Sequence, residues 1–255
     1  MSASDPILTG GGVACAEQRW NEAQLLQPPT NPVARLWHYD APAVVLGCSQ
    51  RRLLATVDDR CELPVLLRDA GGGAVLVGPW MLGLSVALPA AHELVRGGPV
   101  PAYRWLGEAL AGVLRRFGIA ATALAPTALA ASRADDPLAW ACYGGLSPWE
   151  VVAQEKKLVG LAQVRRRTGV LLVGGLLLAP PPWALLCRVL GRPEADARAL
   201  AARTTSVQET AGRDVPVQAL AKAVEQALLQ AWQPPAATAR QPASPSDLDW
   251  ACAGA

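Results

Sequence analysis

The sequence predicts a mixed α/β or α+β fold built on a sheet with antiparallel pairs. Runs of β-favouring residues and runs with helical apolar spacing are interspersed along the chain. Several extended runs succeed one another across turns with no helix between them, which suits hairpins and disfavours a doubly wound parallel sheet. Hydrophobic residues make up 51% of the chain, enough for a substantial core, and 255 residues make one large domain or two small ones.

The elements follow in order. The first dozen residues are glycine-rich and expected to be loose. A short helix is expected over 17–26. Residues 34–46 read as two strands joined at Asp40-Ala41-Pro42, a turn signature. A strand over 63–67 runs into Arg68-Asp69-Ala70-Gly71-Gly72-Gly73, and 74–77 with 82–88 read as a second strand pair. Leu106, Leu110, Val113, Leu114 and Phe117 recur at helical spacing over 103–117, and Gly118 stops that helix. Residues 120–136 are alanine-rich and end in a loop at Asp135-Asp136-Pro137. Three extended segments follow, over 149–153, 157–165 and 170–178, the last two joined by a tight turn at Thr168-Gly169. Short helices are expected over 183–190 and 194–202. A longer one is expected over 216–232, where Pro216 suits the first turn and Leu220, Val224 and Leu228 line one face. From residue 233 the chain is rich in Pro, Ala and Ser and reads as a disordered tail.

Composition narrows the function. The formal charge of +2 gives no polybasic surface for nucleic acid. The longest apolar run, 169–182, is broken by glycine and proline and is shorter than the ~20 residues a spanning helix needs, so no membrane role is expected. Cys15, Cys48, Cys61, Cys142, Cys187 and Cys252 form no CxxC pair and no secretory leader is evident, so free thiols in the cytoplasm are expected. His38 and His92 have no partners at metal-ligand spacing, so no metal is expected, and no Gly-x-Ser-x-Gly elbow marks a hydrolase.

Four features can carry chemistry. The only lysines are Lys156, Lys157 and Lys222 in a chain that otherwise uses arginine. A lysine kept against that bias suits a task for a compact ammonium on a flexible stem, such as polarising an acyl carbonyl; an exposed strand-end lysine is the other reading. On a regular strand, Lys157, Val159 and Leu161 share one face, and Leu158, Gly160 and Ala162 the other. Gly71-Gly72-Gly73 after a strand serves either to admit a ligand close to the backbone, with Arg68 beside it for an anion, or as a flexible bend. Cys142, in Trp140-Ala141-Cys142-Tyr143-Gly144-Gly145, is either an accessible nucleophile, activated by a neighbouring cation, or a small buried hydrophobe. Arg165-Arg166-Arg167 serves either an acidic carrier or phosphate, or a solvated turn.

Together these stretches resemble the lipoate–protein ligase A / octanoyltransferase family, within the biotin/lipoate protein ligase superfamily. The resemblance runs to about Trp232. Residues 35–50 resemble the family's arginine–aromatic stretch ending in Pro-Ala, Leu-Gly and Gln. Residues 68–75 resemble its acyl-binding turn, Arg-Arg-x-x-Gly-Gly-x-Ala-Val. Lys157-Leu158-Val159-Gly160-Leu161-Ala162-Gln163 resembles its most specific motif, Lys-x-x-Gly-x-Ala-Gln, and residues 169–178 and 204–232 resemble the strand and C-terminal segment that follow. Residues 142–150 are similar to the segment bearing the acyl-accepting cysteine of thiol-dependent octanoyltransferases.

The resemblance implies a mixed, largely antiparallel sheet flanked by helices, a biotin/lipoate ligase-like catalytic core over 1–232 and a tail over 233–255. It implies attachment of an octanoyl or lipoyl group, ultimately from octanoate or lipoate, to a lysine of a lipoyl-domain or glycine-cleavage H-type carrier. In the transfer version, Cys142 takes the acyl group from acyl carrier protein as a thioester, Lys157 orients the acyl carbonyl, and no cofactor is required. Arg68, Gly71, Gly72, Gly73, Ala74, Gly160, Ala162 and Gln163 are the implied substrate-binding residues. The alternatives are an ATP- and Mg-dependent ligase acting through a lipoyl-adenylate, and a non-catalytic relative that binds an acylated carrier. Three departures favour transfer by removing charge partners from the site. The paired arginine is reduced to Arg68, beside Asp69; Val77 and Gly174 stand where histidines are usual.

Overall fold

The computed structural model describes residues 7–12, 14–57, 63–129 and 136–233. Its main sheet starts at β1 (Ile7–Gly12), parallel to β2 (Val33–Tyr39). The antiparallel neighbours β6 (Met81–Pro89), β10 (Gly169–Leu177), β9 (Lys156–Arg165), β8 (Val151–Ala153) and β7 (Ala121–Ala123) follow in that spatial order. A second sheet has β3 (Ala43–Leu46) at its centre, parallel to β4 (Val65–Leu67) and antiparallel to β5 (Val75–Val77). Two of these eight pairings are parallel, so the sheet is largely antiparallel, as expected. The helices are α1 (Ala14–Leu26), α2 (Glu93–Arg96), α3 (Pro99–Arg116), α4 (Trp183–Val189), α5 (Glu194–Arg203), α6 (Val207–Thr210) and α7 (Val217–Trp232).

Helices cover both faces of the main sheet. On one face α1 lies against β6 and β10, with Trp20 edge-on to Trp37. On the other, Leu110 of α3 and Val224 of α7 meet Leu82, Leu84, Val159 and Leu176. This double cover explains why β6 is buried at nearly every position, where a one-sided sheet would alternate. The α3 stripe of Leu106, Leu110, Val113 and Leu114 is buried, as its spacing predicted. Each such side chain contributes about 1.5–3 kcal/mol of burial.

Several expectations need correction. The paired strands expected over 34–46, and again over 74–77 with 82–88, do not pair within each set. β2 pairs with β6, and β3 with β5, so the four form one long hairpin divided between two sheets. The divisions fall at Pro42 and near Pro79, where the missing N–H interrupts a ladder. Residues 7–12, expected to be loose, zip onto β2, because a backbone ladder needs no side chains. The alanine-rich stretch holds an unforeseen edge strand, β7. Cys61, Cys252, Asp135 and the tail from 234 lie outside the described residues. Among the described residues no helix is long and apolar enough to cross a membrane.

The face expected for Lys157 also changes. β8 pairs Val151 with Val159 but Val152 with Lys157, so Leu158 is an extra residue, a bulge. The bulge rotates Lys157 onto the face of Gly160 and Ala162. Its Cε lies 3.4 Å from where a Gly160 Cβ would sit.

Candidate active site

Backbone contacts place Cys142. The Ala74 N–H donates to Trp140 O at 2.8 Å, and the Cys142 N–H donates to Ala74 O at 2.8 Å. This approach requires a glycine at 73: a Cβ there would lie 2.6 Å from Trp140 O and from the Ala141 carbonyl carbon. Arg68, almost buried, fixes the turn from the other side, donating to Gly71 O at 2.9 Å and Gly73 O at 3.0 Å. The turn is therefore a packing surface for the cysteine segment. Gly73→Ala is expected to destabilise by about 1–3 kcal/mol through overpacking. It should also lower activity by displacing Cys142, a loss that a thermal melt and a rate assay on the same sample would separate.

The Cys142 carbonyl has its own partner. Lys157 Nζ donates to Cys142 O at 2.6 Å and Gly145 O at 3.0 Å, and pairs with Glu150 Oε2 at 2.7 Å. Glu150 also accepts from Ser147 N at 2.7 Å and Leu161 N at 3.1 Å. Both side chains are at most 3% exposed. A buried ion pair is tolerated only when further hydrogen bonds satisfy the remaining donors and acceptors, and here backbone groups supply them. Helix α5 holds the far side of the segment: Trp140 Nε1 donates to Asp196 at 3.0 Å, and Arg203 donates to Gly144 O and to the Asp136 carboxylate.

Cys142 lines a cavity of about 240 Å³ between the two sheets and α1. Part of its wall is apolar, with Val45, Val75, Val77, Met81, Leu171 and Val173 prominent, and Glu17, Gln18, Asn21, Tyr39 and Arg68 are among the residues that make about as much of it polar. The exposed residues Cys48, Arg51 and Asp69 stand at its rim. Three glycines cross the main sheet in register: Gly160 pairs with Gly175, and Gly175 with Gly83. Side chains from elsewhere fill the space above them. Cys142 Sγ lies 3.5 Å from a Gly160 Cβ position. Tyr143 Oη lies 2.9 Å from that of Gly175, and its hydroxyl donates to Gly175 O at 2.6 Å. The Tyr39 hydroxyl rests on Gly83 and donates to Glu17 Oε2 at 2.9 Å.

Glu17 is 7% exposed and lies in the cavity wall. Burial pushes its carboxyl up to about 7, and the Tyr39 hydroxyl, Arg68 and Asn21 offset only part of that. The folded chain therefore binds this proton more tightly than the unfolded chain, whose carboxyl titrates near 4.5. The stability it contributes is complete below that value and is lost as pH rises through about 7. Wild type should thus lose melting temperature relative to Glu17→Gln between pH 5 and 8. A pH-independent difference between the two would contradict this.

The family of lipoyl protein ligase A/B catalytic domains matches residues 13–229. The chain belongs to this family. It is therefore an enzyme of protein lipoylation, an acyltransferase or a ligase. Octanoyltransferase LipM of Kyrpidia tusciae is 29% identical over 234 residues, covering 88% of this chain and 85% of that one. Octanoyltransferase LipM of Symbiobacterium thermophilum is 32% identical, covering 72% and 69%. The fold is that of lipoate-protein ligase A solved with ATP: the TM-score is 0.65 at 21% identity, covering 88% and 84%. The bipartite lipoate protein ligase of Thermoplasma acidophilum, studied with its E2 lipoyl domain, gives 0.62 at 16%, covering 88% and 82%.

Against the residues the lipoyl ligase resemblance implied, the structure brings Cys142, Arg68, Gly160 and Ala162 to one cavity. Lys157 lies behind the wall, reaching Cys142 through its carbonyl and not opening into the cavity. Gly71, Gly72, Gly73 and Ala74 also stand outside the wall: Gly73 and Ala74 pack on the cysteine segment, Gly71 is half-buried and Gly72 is exposed. Gln163 faces away and donates to Pro99 O at 2.8 Å, tying β9 to α3. The arginine run is divided: Arg165 holds Val95 O at 2.7 Å, and Arg166 and Arg167 are exposed on the turn. Val77 and Gly174, which stand where histidines are usual, both line the cavity. Sequence reading missed Glu150, Tyr143, Glu17, Tyr39 and Asn21. Glu150 lay in view, seven residues before Lys157; the others share no local pattern. Among the described residues, no three of His, Cys, Asp or Glu group as a metal requires.

Proposed function

We propose that this enzyme transfers an octanoyl- or lipoyl-sized acyl group to a lysine of a carrier domain through a thioester on Cys142. The observation that carries this reading is the position of the thiol, in the wall of a cavity with an apolar side, with the N–H and C=O of Cys142 both held. Such a cavity suits an alkyl chain, each buried methylene of which contributes about 0.8 kcal/mol. The Cys142 thiolate attacks the acyl carbonyl of a donor thioester, and the donor thiol leaves. The carrier's lysine amine then attacks the new thioester, forming the amide and releasing the Cys142 thiol. Lys157, held by Glu150, fixes the Cys142 carbonyl, so the nucleophile is oriented before substrate arrives. Acyl carrier protein is the donor and a lipoyl-type domain the acceptor in this reading, supported by the relatives named octanoyltransferase LipM and by the neighbour studied with its E2 lipoyl domain.

The donor set fits an adenylate poorly. Arg68 is committed to Gly71 and Gly73, and Lys157 to Glu150 and two carbonyls. That leaves Arg51, at the rim, as the exposed cation of the wall. Incubation with octanoyl-acyl carrier protein and a lipoyl domain, without ATP, should therefore yield octanoylated domain. Acylation that occurs only with free acid plus ATP, with release of pyrophosphate, would replace this reading by ligation.

A further inference from the structure

The glycine row beneath Cys142 is covered by side chains from other elements, and Tyr143 is the first of them. Cys142 Sγ and Tyr143 Cζ approach the same point, at 3.5 and 3.4 Å from a Gly160 Cβ position, so the ring is the thiol's neighbour over that glycine. From there the phenol reaches the next strand. Its Oη lies 2.9 Å from a Gly175 Cβ position, beside Met81 Sδ at 2.9 Å. A Cβ on Gly175 would push both aside, so the glycine is what lets them lie there. Gly160 and Gly175 line the cavity, while Gly83, the third of the row, does not. On this side the cavity ends where Tyr143 and Met81 meet over Gly175.

The closure is fixed in place. Tyr143 and Met81 are each 2% exposed. The Tyr143 hydroxyl donates to Gly175 O at 2.6 Å, its ring lies 5.7 Å from that of Trp183, and Lys157 Nζ stands 5.3 Å from its centroid. A chain joined to Cys142 therefore meets a held ring on the Gly175 side. The lining continues along the strands instead, through Ala162 and its cross-strand partner Val173 to Leu171. Neighbouring strands are about 4.8 Å apart and an extended chain advances roughly 1.2 Å per bond, so the phenol withholds room for about four carbons.

From this we infer that Tyr143 is a specificity-determining residue: its phenol, backed by Met81, ends the acyl cavity over Gly175 and limits it to chains of medium length. The hydroxyl holds the ring through Gly175 O, and the bulk of the ring excludes a longer chain. Large-to-small replacement in a packed interior leaves a cavity that an apolar ligand can fill. A smaller side chain at 143 would open a trench floored by glycine backbone, which a longer acyl chain could enter. The inference rests on the acyl-cavity reading of the proposed function but not on its chemical step.

The test compares octanoyl with dodecanoyl on wild type, Tyr143→Leu and Tyr143→Phe. Each chain is offered as a thioester of acyl carrier protein, and the rate of acyl-enzyme formation is measured. In parallel, calorimetry measures binding of octanoate and dodecanoate to the same three proteins carrying Cys142→Ala, where no thioester forms. Wild type should favour the eight-carbon chain, and Tyr143→Leu should raise the dodecanoyl-to-octanoyl ratio about tenfold or more in both assays. Tyr143→Phe loses the same hydrogen bond but keeps the ring, so it should keep the wild-type ratio and separate lost space from lost stability. Should Tyr143→Leu fail to fold, Met81→Ala, which opens the same place, is expected to shift the ratio in the same direction. An unchanged ratio in the folded variant, or an equal shift in Tyr143→Phe, would overturn the inference. So would a wild type that takes dodecanoyl as readily as octanoyl, or one that neither forms an acyl-enzyme nor binds either acid. If no acyl-enzyme forms but Tyr143→Leu still gains dodecanoate binding, the transfer reading fails and the length limit stands.

Discussion

Cys142→Ala is expected to fold like wild type and to lose acyl transfer by about a thousandfold or more. A covalent route runs through one atom, and removing that atom leaves only positioning and electrostatic contributions. The fold should not suffer. The side chain is partly exposed in the cavity wall, and the segment is held by the Cys142 N–H and C=O, which alanine retains. A loss of transfer with an unchanged melting temperature is the expected pattern. Loss of both together would mean that the thiol packs the core.

Lys157→Met is expected to damage both stability and rate. It strands the Glu150 carboxylate, which is 2% exposed, and releases the carbonyls of Cys142 and Gly145. Removing one partner of a buried pair costs about 3–5 kcal/mol, so the urea midpoint should fall clearly. Lys157→Arg should not rescue it. The ammonium serves three acceptors converging on one nitrogen, and a planar guanidinium spreads its donors over a fork. Glu150→Leu with Lys157→Met should remain destabilised, although apolar replacement of a buried pair is often neutral. Here the pair also satisfies Ser147 N, Leu161 N and two carbonyls, which the double variant leaves unpaired. A double variant as stable as wild type would show that those backbone groups find other partners.

Much of the fold was legible because it rests on local periodicity. The α3 and α7 stripes and the β9–β10 hairpin across Thr168-Gly169 all appear where their spacing put them. The β8–β9 turn at Gln154 and Glu155, both with positive φ, carries no such signal, since neither residue is a usual left-handed one. Sheet membership was not legible either: β3 and β5 leave the main sheet because of interruptions at proline, and nothing in their own residues differs from β2 or β6. For the site, the lysine bias led to Lys157, but a strict two-residue alternation put it on the wrong face. The Leu158 bulge is a property of the β8 pairing and has no trace in the β9 sequence alone. The glycine triplet drew attention for the right reason, a close backbone approach, although what approaches is the Cys142 segment. Glu17, Asn21 and Tyr39 come from α1 and β2, and only the tertiary fold brings them to one cavity.

The most direct measurement is peptide mapping of the enzyme quenched in acid shortly after mixing with octanoyl-acyl carrier protein. The expected result is one octanoyl group on the peptide containing Cys142, removed by hydroxylamine and passed to lipoyl domain when the quench is delayed. Octanoyl found on another residue, or carrier acylated at the full rate with no acyl ever present at Cys142, would contradict the account.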